Sequence, residues 1–91
     1  MRVESVEIYS DATNAAVMRH PGRRFPGVLL QGDTLHSMCR RLDIVCEAAR
    51  RPYRMEEYQE LNNIRNGMWD LLLHYKRVLQ AHGMPLPFSE D

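Results

Sequence analysis

Histidine and cysteine are the side chains here best suited to nucleophilic or metal chemistry, and the chain has four of the first and two of the second. His36 and Cys39 stand three apart, so on a helix they would be neighbours, as a thiol and its general base must be. Cys39 also belongs to an apolar helical stripe, where a thiol packs as a small hydrophobe and is inert. A metal centre needs three or four converging ligands. His36 with Cys39 supplies two, and His74 and His82 lie too far apart on one helix to chelate together. His82 instead suits a helix C-terminus, where a cation is favourable. We therefore expect no metal, no cofactor and no catalytic residue.

Three further stretches could bind something. Gln31-Gly32-Asp33-Thr34 sits where a strand feeds a helix, a place whose free amides can cradle phosphate. Asp33 puts a negative charge at the spot a phosphate would need, and the chain has no Walker lysine and no G-x-G-x-x-G. Asp33 as a helix cap fits those residues better. An enzyme built on His36 with Asp33 and Gln31 is the weakest of the readings. Arg23-Arg24-Phe25 puts two guanidinium forks and an aromatic on a loop braced by Pro21, Gly22, Pro26 and Gly27, the residue types of an interface anchor. The alternative is that Phe25 tucks into the core and the arginines are merely solvated. Glu56, Glu57 and Glu60 form an acidic edge; with no cleft to hold them for acid–base work, a solvated helix face is the simpler account.

These residues need elements to position them. Residues 3 to 9 place Val6 and Ile8 on one face and Glu7 and Tyr9 on the other, the period of a half-buried strand. Ser10 to Asn14 supplies turn chemistry, and residues 15 to 19 form a second strand that should pair antiparallel with the first. After the Pro/Gly loop, residues 28 to 31 make a short third strand, most simply as a meander. Gly32 then lets the backbone turn sharply, and Asp33 or Thr34 can accept from the first free amides of a helix. In that helix Leu35, Met38, Cys39, Leu42, Val45, Cys46 and Ala49 follow the i, i+3, i+4, i+7 rule, with Arg40, Arg41, Asp43, Glu47, Arg50 and Arg51 opposite. Pro52 ends it.

A second helix starts near Arg54 or Met55 and carries the stripe Tyr58, Leu61, Ile64, Met68, Leu71, Leu72, Tyr75, Val78 and Leu79 until Gly83 and Pro85 close it. The stripe keeps its phase across Gly67, so the helix should run on, about 28 residues and roughly 42 Å against roughly 25 Å for the first. It therefore overhangs its partner. Trp69, Leu72 and Leu73 widen its apolar circumference beyond what one neighbour can bury, leaving surplus for the sheet, the tail or another chain. The spacing predicts one α+β domain over 1–91: a three-stranded antiparallel sheet (1–31), a long antiparallel two-helix hairpin packed on one face of it (33–83), and an irregular tail (84–91).

Composition narrows the class. Hydrophobic residues make up 44% and charged ones 26%, as in an ordinary soluble globular chain. Formal net charge is zero, which argues against a nucleic-acid partner. Arg2, Glu4 and Glu7 interrupt any signal peptide and no apolar run could span a bilayer, so a cytoplasmic protein without a membrane partner is expected. Cys39 and Cys46, seven apart on one helix, have Cα atoms roughly 10.5 Å apart, beyond disulfide reach.

The run Arg23-Arg24-Phe25-Pro26-Gly27-Val28-x-x-Gln31-Gly32-Asp33-Thr34-Leu35, preceded by Asn14-Ala15-Ala16-Val17, resembles a family of small uncharacterised bacterial proteins. Its members carry a stretch close to NAAVVRLPGRRFPGVVVQGDSL ahead of a helical half. The resemblance covers about residues 6 to 36 and implies no reaction. Size, neutral charge and class are also similar to those of immunity proteins that accompany contact-delivered toxins, an analogy only. The expectation is thus a non-enzymatic protein-binding module, an immunity or antitoxin-like protein that occludes a bacterial toxin. Arg23, Arg24, Phe25, Gln31 and Asp33, with Trp69 and Leu73 on the long helix, would make its contacts. A homodimer through the long helix is a further expectation. The alternative is an oligomeric small-ligand-binding or regulatory protein with a pocket between sheet and hairpin, lined by Met18, Met38, Met68 and Tyr75.

Overall fold

A computed structural model of the chain describes residues 1–48 and 55–90. The expected roles of Ala49, Arg50, Arg51, Pro52 and Arg54 lie outside them. The architecture is α+β: a three-stranded antiparallel sheet is followed by two helices that pack against each other. The chain divides into two compact units, Met1–Gln31 and Gly32–Asp91, taken here in turn.

The first unit holds β1 (Glu7–Ser10), β2 (Ala16–Arg19) and β3 (Gly27–Leu29), a meander with β2 at its centre. Opposed residues share a face of a sheet. The register sets Ile8 against Met18 and Met18 against Gly27, and on the other face Val17 against Val28 and Glu7 against Arg19. β1 starts later than the alternating pattern suggests, and its register slips between Ile8 and Ser10. Glu7 and Arg19 form an ion pair across β1 and β2, and Tyr9 donates its hydroxyl to Glu7 at 2.7 Å. The β1–β2 connection uses hydroxyl turns: Ala12 N donates to Ser10 Oγ at 3.3 Å, and Thr13 Oγ1 accepts from Ala15 N at 3.3 Å.

The second unit is α1 (Gly32–Ala48) and α2 (Met55–Ala81). The contacts between them run in opposite order along the two helices. Gly32 meets Tyr75, Asp43 meets Arg65 and Trp69, and the Cys46 thiol points at the Leu61 carbonyl 3.9 Å away, so the hairpin is antiparallel. Leu72 and Cys39 are fully buried, with Leu35 beside them and Met68, Trp69, Tyr75 and Phe88 packed around. Both cysteines are free and buried.

α2 runs unbroken through Gly67, as the phase of its stripe predicts. It ends in a Schellman motif: Met84 N donates to Leu79 O at 2.9 Å and Gly83 N to Gln80 O at 3.1 Å, with Gly83 at φ 66°. The role given to Gly32 needs correction. Its φ is not positive, and what demands glycine is packing, because a Cβ there would overlap the Tyr75 ring. The apolar stripes are also wider than one neighbour covers. Met38 and Val45 on α1 are exposed, as are Ile64 and Leu71 on α2.

Candidate functional site

In the first unit the loop between β2 and β3 is held in one shape by its own residues. Arg23 N donates to His20 O at 3.0 Å and Gly22 has φ 83°, so His20-Pro21-Gly22-Arg23 is a type II turn, with proline and glycine where that turn needs them. Arg19, already paired with Glu7, donates from Nη1 to Arg23 O at 3.0 Å and holds the loop from behind. The Arg19 guanidinium keeps the Glu7 carboxyl below its ordinary value, and the Tyr9 hydroxyl adds to that. The bracing carboxylate therefore keeps its charge to a lower pH than a free glutamate.

On this frame Phe25 points outward. It is 71% exposed and the Arg24 guanidinium lies 5.3 Å from its ring centroid, so within the first unit it does not tuck inward. Phe25, Val6, Met18, Val28 and Leu29 line an open groove of about 410 Å³, with His20 and Arg23 at its polar edge. Between Asp11 and Asp33 the sequence has three arginines and no acidic residue; Arg19 is paired with Glu7, which leaves Arg23 and Arg24 as the basic groups of the loop. Chemically, this is a shallow apolar seat edged by the Arg23 guanidinium and the His20 imidazole, with Arg24 beside it over the Phe25 ring.

The other expected site residues fall elsewhere. Gln31 is exposed at the end of the first unit. Asp33 lies in the first turn of α1, inside a helix that already begins at Gly32, and its Oδ1 accepts from the adjacent Thr34 N at 2.9 Å, one residue on and not the two or three residues on of an N-cap. Trp69 and Leu73 sit one turn apart on α2. Leu73 is 39% exposed, whereas Trp69 is half-buried and donates Nε1–H to Asp43 Oδ1 at 2.9 Å. Arg23, Arg24 and Phe25 thus form one constellation in the first unit, and Trp69 and Leu73 belong to the second. Of the residues proposed for a ligand pocket, Met38 and Met68 share a groove on the hairpin, Tyr75 lies on Gly32, and Met18 lines the sheet groove.

His36 does not address Cys39; its ring stacks on Phe88 with centroids 4.1 Å apart and planes within 4°. Burial, reinforced by nearby Asp43, pushes the Cys39 thiol up from its ordinary value, the direction opposite to that of a nucleophile. His82 Nδ1 lies 2.9 Å from Val78 O, as a capping imidazole should. Among the described residues no three His, Cys, Asp or Glu side chains converge as a metal ion would need, and no helix is long and apolar enough to cross a membrane.

Sequence reasoning missed the Asp43 anchor, which binds Arg65 Nε at 2.5 Å as well as the Trp69 indole. The tail, one of the covers expected for the surplus of α2, does pack on the hairpin, but the residues that strap it went unread: Phe88 stacks on His36 and Glu90 pairs with Lys76 at 2.7 Å. Nothing local in the sequence marks either.

Fold and site together define a small α+β protein with a braced basic–aromatic loop. The chain belongs to the family of unknown function DUF6959, which it matches over residues 1–88. No curated protein and no solved structure matches it.

Proposed function

We propose that this chain is a non-enzymatic protein-binding module and that its docking surface is the Arg23-Arg24-Phe25 loop with the adjoining sheet groove. The observation that carries this is Phe25, which a type II turn and the Arg19 clamp hold 71% exposed beside an apolar groove. An aromatic fixed in water before binding loses little entropy on docking, which is how preorganised anchors gain affinity. The basic rim selects the partner: a protein surface offering an apolar side chain to the groove and carboxylates to Arg23 and Arg24. Small size, zero net charge and α+β class support reading that partner as a bacterial toxin and the chain as its immunity or antitoxin-like protein. A small apolar ligand is the second reading, favoured by a groove volume within the range of small-molecule sites.

The test is titration calorimetry with the protein encoded by the adjacent gene, using the wild-type chain and the variants Phe25→Ala and Arg24→Glu. Truncating an anchor of this kind costs about 2 kcal/mol, roughly thirtyfold in Kd. Because both side chains are exposed, the thermal midpoint should stay within a degree or two of wild type. Tight binding that neither variant weakens would remove the loop from the interface. No binding by the neighbour, together with a thermal shift from an apolar metabolite that Phe25→Ala abolishes, would favour the ligand reading instead.

A further inference from the structure

The face of α2 through Ile64, Gly67 and Leu71 is exposed, with the half-buried Met68 at its edge, and it is built like a helix–helix seam. Glu57, Glu60, Ile64, Gly67, Leu71, His74 and Val78 follow one another at alternating spacings of three and four, which keeps them on one side of a helix. Ile64 is 52% and Leu71 57% exposed, and Val78 extends the line at 39%. Met38, Leu42 and Val45 of α1 border the same side, where they share a groove with Ile64 and Met68.

Gly67 is the residue within this seam that the chain itself does not explain. Its φ is not positive, so no turn requires it, and a Cβ built there would meet nothing within 4 Å. A glycine in mid-helix weakens the helix relative to alanine. No neighbour within the hairpin occupies that space, and what a bare glycine offers there is room for another helix to approach closely.

Charge along α2 says which helix fits. Glu56, Glu57 and Glu60 lie in its first two turns, and His74, Arg77 and His82 lie toward its end. A second α2 running antiparallel brings the acidic end of each copy to the basic end of the other; a parallel one would set like charges side by side. With the two-fold axis between Gly67 and Met68, Ile64 faces the partner's Leu71, and Gly67 receives the partner's Met68. Glu57 and Glu60 then face the turn bearing the partner's His74 and Arg77. The patch is self-complementary, as a two-fold interface must be. We propose that the chain forms a homodimer through antiparallel pairing of α2 with the α2 of a second copy, centred on Gly67, so that two hairpins make a four-helix bundle. This does not depend on the loop-docking reading, which uses a surface of the other unit.

The test begins with sedimentation equilibrium on the full chain at 1–200 µM, where a dimer has twice the 10.7 kDa monomer mass. Leu71→Glu and Gly67→Leu should each raise the dimer Kd at least tenfold while circular dichroism shows the helix content of wild type. Orientation is read from disulfides: Ile64→Cys mixed with Leu71→Cys should give the mixed cross-link in preference to either self-pair. A wild-type monomer at 200 µM, with or without a foreign helix bound to this face, would overturn the proposal. So would a dimer that survives Leu71→Glu, or self-linked Ile64→Cys as the dominant product, which would mean a parallel pairing.

Discussion

Replacing Asp43 with alanine tests what holds the hairpin in register. One carboxylate oxygen, Oδ1, accepts from Arg65 Nε at 2.5 Å and from Trp69 Nε1 at 2.9 Å, so a single atom of α1 fastens two successive turns of α2. The Asp43 and Arg65 side chains are 38% and 34% exposed, so water screens the ion pair and it is worth about 0.5–1 kcal/mol. The indole bond to a charged acceptor adds about 1.5 kcal/mol, because the half-buried N–H is left without a partner when the carboxylate goes. Asp43→Ala should therefore cost about 2 kcal/mol, which in a chain of this size lowers Tm by about 8–16 °C. Asp43→Asn keeps an acceptor for the indole and should lose about half as much. Trp69 is the sole tryptophan, so urea unfolding can be followed by its fluorescence and by helical dichroism together, and the emission should shift to the red in the alanine variant. A cycle with Trp69→Phe should return a coupling of about 1 kcal/mol. A loss under about 0.5 kcal/mol for Asp43→Ala, or no coupling in the cycle, would refute the account of Asp43 as the register pin.

Three more outcomes follow from the same unit. Gly32→Ala forces a methyl into the Tyr75 ring and should destabilise by about 1–3 kcal/mol in denaturant melts, the opposite of what better helix propensity alone would give. Leu72→Ala empties a fully buried site and should cost about 2–5 kcal/mol by the same measurement. Burial raises the Cys39 thiol pKa above its ordinary 9.0, so the folded chain holds that proton more tightly than the unfolded one. The resulting stability is complete below pH 9.0, the ordinary value, and is lost as pH rises through the higher folded value. Stability curves between pH 7 and 11 should therefore fall more steeply for wild type than for Cys39→Ala.

What could be read from the sequence was what depends on near neighbours. The continuity of α2 was legible because Ile64, Met68 and Leu71 keep one phase across Gly67, and its stop at Gly83 because a left-handed cap favours glycine. The Pro21-Gly22 loop was legible as a loop, though not as the type II turn that projects Phe25. Where residues far apart in the chain decide, local pattern fell short. Gly32 read as a turn glycine because the ring that requires it, Tyr75, lies in another helix. Asp43 read as part of a solvated back face because its partners, Arg65 and Trp69, are 22 and 26 residues on. β1 read as starting too early, at residue 3, because the alternation of Val6 and Ile8 sets no start point, while pairing begins only where Glu7 meets Arg19.

The widths of the two apolar stripes teach something different. Leu71 and Leu72 are consecutive, both belong to the stripe of α2, and one is 57% exposed while the other is fully buried. Periodicity tells which side chains favour leaving water; it does not tell which surface will receive them. A hairpin of two helices can cover only a narrow seam on each, here the line through Leu35, Cys39 and Cys46 against Leu72. Met38, Val45, Ile64 and Leu71 lie beside that seam and keep the same periodicity. Their pattern is that of a core, and their exposure is that of a surface. In proteins generally, interaction sites are found where such apolar faces are exposed. The same holds in the first unit for Val28, read from the sequence as part of a buried strand and 62% exposed. The residues that sequence alone assigns to an interior, and that the fold leaves outside, are therefore the ones where binding should be sought.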